Sequence, residues 1–333
     1  MKHGANIYKY AKKIGCNPNE IIDFSSNINL HQPKNTFYFS DATITKYADA
    51  SYNALKKVIA KKYGLKKSQI SLHNGASAAI FELFNTLKPK KVTLYAPLYG
   101  EYEKALLKKV KIHKINRFEN LYEKPAKNSI VVFVNPSTPD GRYYHLTKLF
   151  KLWKKQNCTV ILDESFLEFE ALPSFRTRIN NYKKLYIIHS FSKFYASAGV
   201  RIGAIFSHKN NIKTIQKPLW NISSMDVAFL KKRLQDKKFM QHSLKRHKKQ
   251  KKALRTLLKN SRMFKRIYKS NSNFFLAKYP HNNKIFFNYL LKNRILTRTC
   301  GSFDFLDNKH FRFAIKDKKA HSRLKKVLKD FYE

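Results

Sequence analysis

"HSFSKFYASAGVRIGAIFS", residues 189–207, sets Lys193 among serines, aromatics and small residues, just ahead of an apolar run. In a chain with 68 lysines and arginines, one more cation means little by itself. A lysine in an apolar setting is different, because burying its ammonium is costly unless the charge is neutralised or the nitrogen is bonded to something. Eight residues on, Arg201 enters the strand-like "VRIGAIFS" and offers a bidentate grip on an anion. The stretch therefore asks what Lys193 is attached to.

Upstream, apolar runs at 91–97, 129–136, 158–165 and 185–191 alternate with helix-like segments such as "GEYEKALLKK" and "LTKLFKLWKKQ". Continuous apolar strands between helices indicate an α/β architecture with a mixed, mostly parallel sheet covered on both faces. After residue 210 long basic helices take over, followed by strands at "NFFLAKYP" and "HFRFAIK", which read as a smaller α+β C-terminal domain. The expected division is an N-terminal segment (1–35) packed near the active site and the small domain, a large domain (36–208) and the small domain (209–333). Sites in such sheets lie at the carboxyl ends of strands. Those ends hold Asn135 in "NPSTPDG", Asp163 in "LDES", and Ser190, Ser192 and Lys193. In "HNGASAAIFELF", Gly75, Ala76 and Ser77 open an amphipathic helix, whose N–H groups would bind a phosphate.

Hydrophobic residues make up 43% of the 333, enough for a large core. No apolar run approaches membrane-spanning length and the N-terminus lacks the apolar core of a signal peptide, so a cytoplasmic location is expected. Cys16, Cys158 and Cys300 have no metal-ligand spacing and read as reduced, structural residues. The net charge of +47 raises nucleic acid or an anionic membrane as partners. The lysines are spread along the whole chain, however, and no nucleic-acid-binding signature accompanies them, so neither partner is expected. The densest stretch, 231–262, reads as one long helix with a basic outer face.

A phosphate cradle, a buried carboxylate, an amide and a lysine are what pyridoxal 5′-phosphate (PLP) needs, since its aldehyde forms a Schiff base with a lysine and its ring nitrogen pairs with a carboxylate. "NPSTPDG", "DES" and "SFSK", with Arg201 downstream, resemble in order the N-P-x-x-P-x-G, D-E-x-[YF], S-x-S-K and arginine motifs of the fold type I, PLP-dependent class I/II aminotransferases. The resemblance implies that Lys193 is the catalytic residue. It also implies that Asp163 partners the ring nitrogen and Asn135 the phenolic oxygen. Ala76, Ser77, Ser190, Ser192 and Arg201 would hold the cofactor phosphate, Tyr99 would stack on the ring, and Tyr47 would reach the cofactor phosphate of a second subunit in a homodimer.

The two ends of the chain narrow the resemblance. "HGANIYKYAKKIGCNPNEIIDFSSNINLHQP" (3–33) and "ILTRTCGSFDFLDNKHFRFAIK" near the C-terminus are similar to the branch that decarboxylates L-threonine O-3-phosphate in cobalamin biosynthesis. That branch implies a phosphoamino acid substrate, with Arg312 on its carboxylate and Arg298 on its phosphate. Asn29 and Gly4 would steer the carboxylate, and His3 is a further substrate-binding candidate. Phe166 stands where the related histidinol-phosphate aminotransferases usually carry a tyrosine, and "NINLHQP" lacks the usual proline and glycine. A histidinol-phosphate-type aminotransferase is the alternative expectation, and a basic nucleic-acid or membrane binder on an idle fold is the remote one.

Overall fold

The computed structural model describes Gly4 and residues 6–32 and 39–331. In chain order its strands are β1 (Ile22–Asp23), β2 (Ile70–Asn74), β3 (Lys91–Ala96), β4 (Lys111–Asn116), β5 (Ile130–Val134), β6 (Thr159–Asp163) and β7 (Leu185–Ser190). They continue as β8 (Ile202–Ser207), β9 (Arg266–Ile267), β10 (Phe274–Lys278), β11 (Ile295–Leu296), β12 (Arg298–Thr299) and β13 (His310–Ala314). Seven of them form one sheet in the order β2-β8-β7-β6-β5-β3-β4. All its pairings are parallel except those that β8 makes with β7 and with β2. This is the mixed, mostly parallel sheet that the sequence led one to expect.

Both faces of the sheet are covered, which is why its strands read as unbroken apolar runs. In β5, Val131 and Phe133 enter one core with Trp153 and Leu149 of the helix Thr147–Lys155. Ile130, Val132 and Val134 enter the other, with Ile80, Leu83 and Phe84 of the helix Gly75–Leu87.

A four-stranded antiparallel sheet, β12-β13-β10-β9, follows the long helices. Phe275, Phe311 and Phe313 from it pack on Leu254 and Leu258 of the helix Lys237–Asn260. The N-terminal segment joins this part of the molecule: β1 pairs in parallel with β11, and Ala314 N–H donates to Phe24 O at 2.8 Å.

Two expectations about helices are corrected. The basic stretch 231–262 is not one helix, because Asp236 leaves helical geometry (ψ 87°) and its carboxylate accepts the Phe239 N–H at 2.8 Å. It thereby ends Ser224–Gln235 and caps Lys237–Asn260. "GEYEKALLKK" is helical only over Glu101–Lys104, since the following residues turn the chain back to place β4 beside β3.

One close approach positions the site. Gly203 in β8 faces the start of the helix Gly75–Leu87, and a Cβ there would stand 2.4 Å from Ala76 N and 2.5 Å from Gly75 C. Main chain cannot give way as a side chain does. Gly203→Ala should therefore cost about 1–3 kcal/mol of stability by overpacking, read by chemical denaturation. Full stability in that variant would show that strand and helix can separate at no cost.

Candidate active site

β3, β5, β6 and β7 all end at one edge of the large sheet, and β8, running the other way, begins there. This brings Arg201 back beside Ser190 and Ser192, eight residues after Lys193. A cavity of ≈ 400 Å³ opens at that edge, between the two sheets, within the usual size for a small-molecule site.

Ala76, Ser77, Tyr99, Asp163, Ser190 and Ser192 line it, as expected. Lys193, Arg201, Gly4, Arg298 and Arg312 do so too. At one end lies the first turn of the helix Gly75–Leu87, with Gly75 in the left-handed region (φ +81°). A Cβ at Gly75 would stand 2.7 Å from Arg201 Nη2, so only glycine lets the guanidinium lie against that turn. Exposed N–H groups, a guanidinium and the Ser190 and Ser192 hydroxyls make a site for a phosphate. Tyr99 is half-buried, its hydroxyl 3.3 Å from Ser77 Oγ.

Asp163 is buried at the cavity floor. The Tyr102 hydroxyl donates to its Oδ2 at 2.9 Å and the Ser165 N–H to its Oδ1 at 2.9 Å. Burial raises its pKa against the effect of these neutral donors, so a cationic N–H in the cavity would stabilise the carboxylate. Burial depresses the Lys193 pKa to about 8, and the Arg312 and Arg201 charges push in the same direction. A carboxylate wanting a cationic donor, an amine close to neutrality and a phosphate cradle in one cavity fit PLP.

On the opposite wall Arg298 and Arg312 are directly opposed across the β12–β13 pairing. Among the described residues the hydrogen-bond partners of Arg312 are all neutral. Nη1 donates to Thr138 Oγ1 at 3.1 Å and Nη2 to Ser25 O at 3.2 Å. With its amide oxygen toward the guanidinium, Asn27 accepts from both Nη atoms at 3.1 Å. Among the described residues the Nε is buried without a partner, and burial lowers the Arg312 pKa to about 10. Arg298 donates to Thr299 O at 2.8 Å and to Ser302 Oγ at 3.0 Å and lies over Phe303. Two desolvated guanidiniums side by side repel each other and suit a ligand with two anionic groups.

Two expected residues, Asn135 and Asn29, do not face the cavity. Asn135 exchanges hydrogen bonds with the Tyr144 main chain, at 3.0 Å from its Nδ2 and 2.8 Å to its Oδ1. Thr138, three residues on, takes the cavity position instead. Asn29 spends its Nδ2 on Phe194 O (2.8 Å) and Ser243 Oγ (2.9 Å), while its N–H donates to Lys193 O at 2.9 Å. It braces the lysine loop from behind, and Asn27 is the asparagine that lines the cavity. Tyr47 is 80% exposed and stacks on Trp220 at 4.5 Å, outside this chain's cavity. His3 lies outside the described residues. Thr138, Asn27 and Tyr102 went unnoticed in the sequence; their signal was proximity to the motifs, which does not tell which member of a turn points inward.

The family model described as aminotransferase class I and II matches residues 11–328. The adenosylcobalamin biosynthesis bifunctional protein CobDQ of Leptospira interrogans is 30% identical over 97% of this chain, which spans 40% of that longer protein. The threonine-phosphate decarboxylase of Salmonella typhimurium is 25% identical over 98% of this chain and 96% of its own. The solved structure of histidinol-phosphate aminotransferase from Clostridium acetobutylicum superposes with a TM-score of 0.81 at 30% identity, covering 92% of this chain and 98% of that one.

Covalent capture of PLP by the apoprotein needs a neutral amine. Because the Lys193 pKa is depressed to about 8 from 10.5, the neutral fraction grows as pH rises through 8 and levels off above it. Uptake followed by visible absorbance should be roughly tenfold faster at pH 9 than at pH 7 and then flatten. A rate still climbing tenfold per unit at pH 10 would mean that the lysine is an ordinary one.

Proposed function

The chain belongs to the class I and II aminotransferase family, whose cofactor is pyridoxal 5′-phosphate, and from that premise we propose that it decarboxylates a phosphoamino acid. The substrate is L-threonine O-3-phosphate or the closely related L-serine O-phosphate, and the product is the aminoalcohol phosphate used in cobamide assembly. The observation that carries this reading is the pairing of Arg298 with Arg312 in the cavity of Lys193. A substrate with a carboxylate at one end and a phosphate at the other supplies an anion to each guanidinium. The likeness to the threonine-phosphate decarboxylase of Salmonella typhimurium over almost the whole of both chains supports it.

When bound, PLP supplies an electron sink conjugated to the substrate's α-carbon. The residues around it do the rest. Arg201, Ser190, Ser192 and the first turn of the helix Gly75–Leu87 would hold the cofactor phosphate, and Asp163 the ring nitrogen. Arg312 would grip the substrate carboxylate and Arg298 its phosphate. Loss of CO2 breaks the bond between the α-carbon and the carboxyl carbon, and a proton must take the vacated position. Lys193, with a pKa near 8, holds that proton and can release it at neutral pH. Phe303, Phe166 and Leu98 line the cavity and limit water there.

A histidinol-phosphate-type aminotransferase is the second reading, favoured by the likeness to the Clostridium acetobutylicum enzyme. We also propose that the protein is a homodimer. Ile44, Tyr47, Leu219 and Trp220 form an exposed apolar surface that a second copy would cover.

Holoprotein given O-phosphothreonine or O-phosphoserine should release CO2 and form the corresponding aminoalcohol phosphate without any oxo acid. Lys193→Ala should abolish release and remove the cofactor's visible band. Turnover of histidinol phosphate that depends on 2-oxoglutarate, with no CO2 from either phosphoamino acid, would overturn the decarboxylase reading in favour of the aminotransferase.

A further inference from the structure

Arg117, in "INRFEN" just beyond β4, is 3% exposed, and Asp140, in the loop after β5, is 2% exposed. A buried ion pair is tolerable only when the geometry is good and the remaining polar atoms find partners. Here they do. Arg117 Nη2 reaches Asp140 Oδ1 at 2.6 Å and Thr138 O at 3.1 Å. Its Nε donates to Pro97 O at 3.2 Å and its Nη1 to the Tyr144 hydroxyl at 3.1 Å. Asp140 Oδ1 also accepts from Ser137 Oγ at 2.7 Å. One guanidinium thus ties the loop after β3 to both ends of the loop after β5, beneath the cavity wall.

The residue held between Ser137 and Asp140 is Thr138. Its carbonyl is bound by Arg117, and its hydroxyl oxygen accepts from Arg312 Nη1 across the gap between the two sheets. The rest of the Arg312 seat comes from the N-terminal segment, through Ser25 O and Asn27. Of these contacts, only Thr138 anchors the guanidinium to the large sheet, the part that carries Lys193.

We propose that Arg117 and Asp140 are positioning residues that act through Thr138: they hold its hydroxyl where it sets the orientation of Arg312, and so the angle at which a substrate α-carboxylate is presented. The inference rests on the reading of Arg312 as the carboxylate-gripping arginine. It predicts an effect confined to ligands that carry this carboxylate.

Thr138→Val keeps the shape and removes the acceptor, and Thr138→Ser restores it. For holoprotein variants, the KM for CO2 release from O-phosphothreonine would be measured beside the inhibition constant of 1-amino-2-propanol O-phosphate, which lacks the carboxylate. In Thr138→Val the first should rise about tenfold, as expected for loss of a hydrogen bond to a charged group, and the second by less than about twofold. Thr138→Ser should bind both nearly as the parent does, and the cofactor's visible band should be unchanged throughout. Asp140→Asn, if it folds, should show the same selective weakening to a smaller degree. Equal weakening of both ligands, no weakening, or loss of the visible band would each overturn the inference. Should the parent protein prove an aminotransferase, the proposed function fails separately. L-glutamate and 4-aminobutyrate, which differ by the α-carboxylate, then form the deciding pair.

Discussion

The reversal of β8 is the constraint on which the site depends. Six of the seven strands run the same way, and their carboxyl ends share one edge. Only a strand of opposite sense can carry the chain from Lys193 straight back to that edge within a few residues. The cost is crowding, since the strand must pass the first turn of the helix Gly75–Leu87 with no room for a Cβ at Gly203. Close approach of strand and helix is thus the same fact as the proximity of Arg201 to the helix N-terminus.

Electrostatics follow from that layout. Lys193 stands between Arg201 and Arg312, and both push its pKa down after burial has already done so. The resulting amine is poised where proton transfer near neutral pH is efficient. Of the two carboxylates that line the cavity beside these cations, Glu103 and Asp304, Lys114 bridges both, at 2.8 Å and 3.0 Å, and offsets one of their two charges. That bridge also ties the loop bearing Ser302 and Phe303, which supports Arg298, to the large sheet. The positive field inside the cavity therefore comes from placed, desolvated cations, whereas most of the +47 charge is scattered along the surface and has no comparable geometry.

How much of this could be read in the sequence depended on the kind of constraint. Continuous apolar strands record burial on both faces, and the expected runs at 91–97, 129–136, 158–165, 185–191 and 200–207 contain β3, β5, β6, β7 and β8, whereas β4, an edge strand exposed at its start, was not read as one. Lys193, Asp163 and Arg201 were legible because each is chemically out of place in an apolar strand end. Loop residues carry no such contrast. In "NPSTPDG" the sequence pointed to Asn135 alone, and Thr138 faces the cavity because the Tyr144 main chain occupies the asparagine. "SNIN" likewise pointed to Asn29, whereas Asn27 lines the cavity. Ser243 and Phe194 claim Asn29 from a helix and a loop more than 160 residues away in sequence. The break at Asp236 was missed for a related reason: a basic amphipathic pattern continues through it, and only its capping bond marks the boundary. Arg117 was invisible because its partners come from two loops separate from its own, after β3 and after β5.

The N-terminal segment shows why a site of this kind can change its reaction without changing its core. It pairs with β11, receives a hydrogen bond from Ala314, and donates through Asn29 N–H to Lys193 O. Between these anchors Ser25 and Asn27 seat Arg312, and Asn273 Nδ2 donates to Asn27 O at 2.7 Å. One short segment therefore touches the lysine loop and the substrate-facing arginine together. A substitution there would tilt Arg312 relative to Lys193 while leaving Asp163 and the phosphate cradle in place. Which substrate bond breaks depends on how the ligand is oriented, so under the proposed function the choice of reaction would reside in the seat of Arg312 and the capacity for catalysis in the sheet edge. Of the hydrogen bonds that seat the Arg312 guanidinium, Thr138 contributes the one from the large sheet.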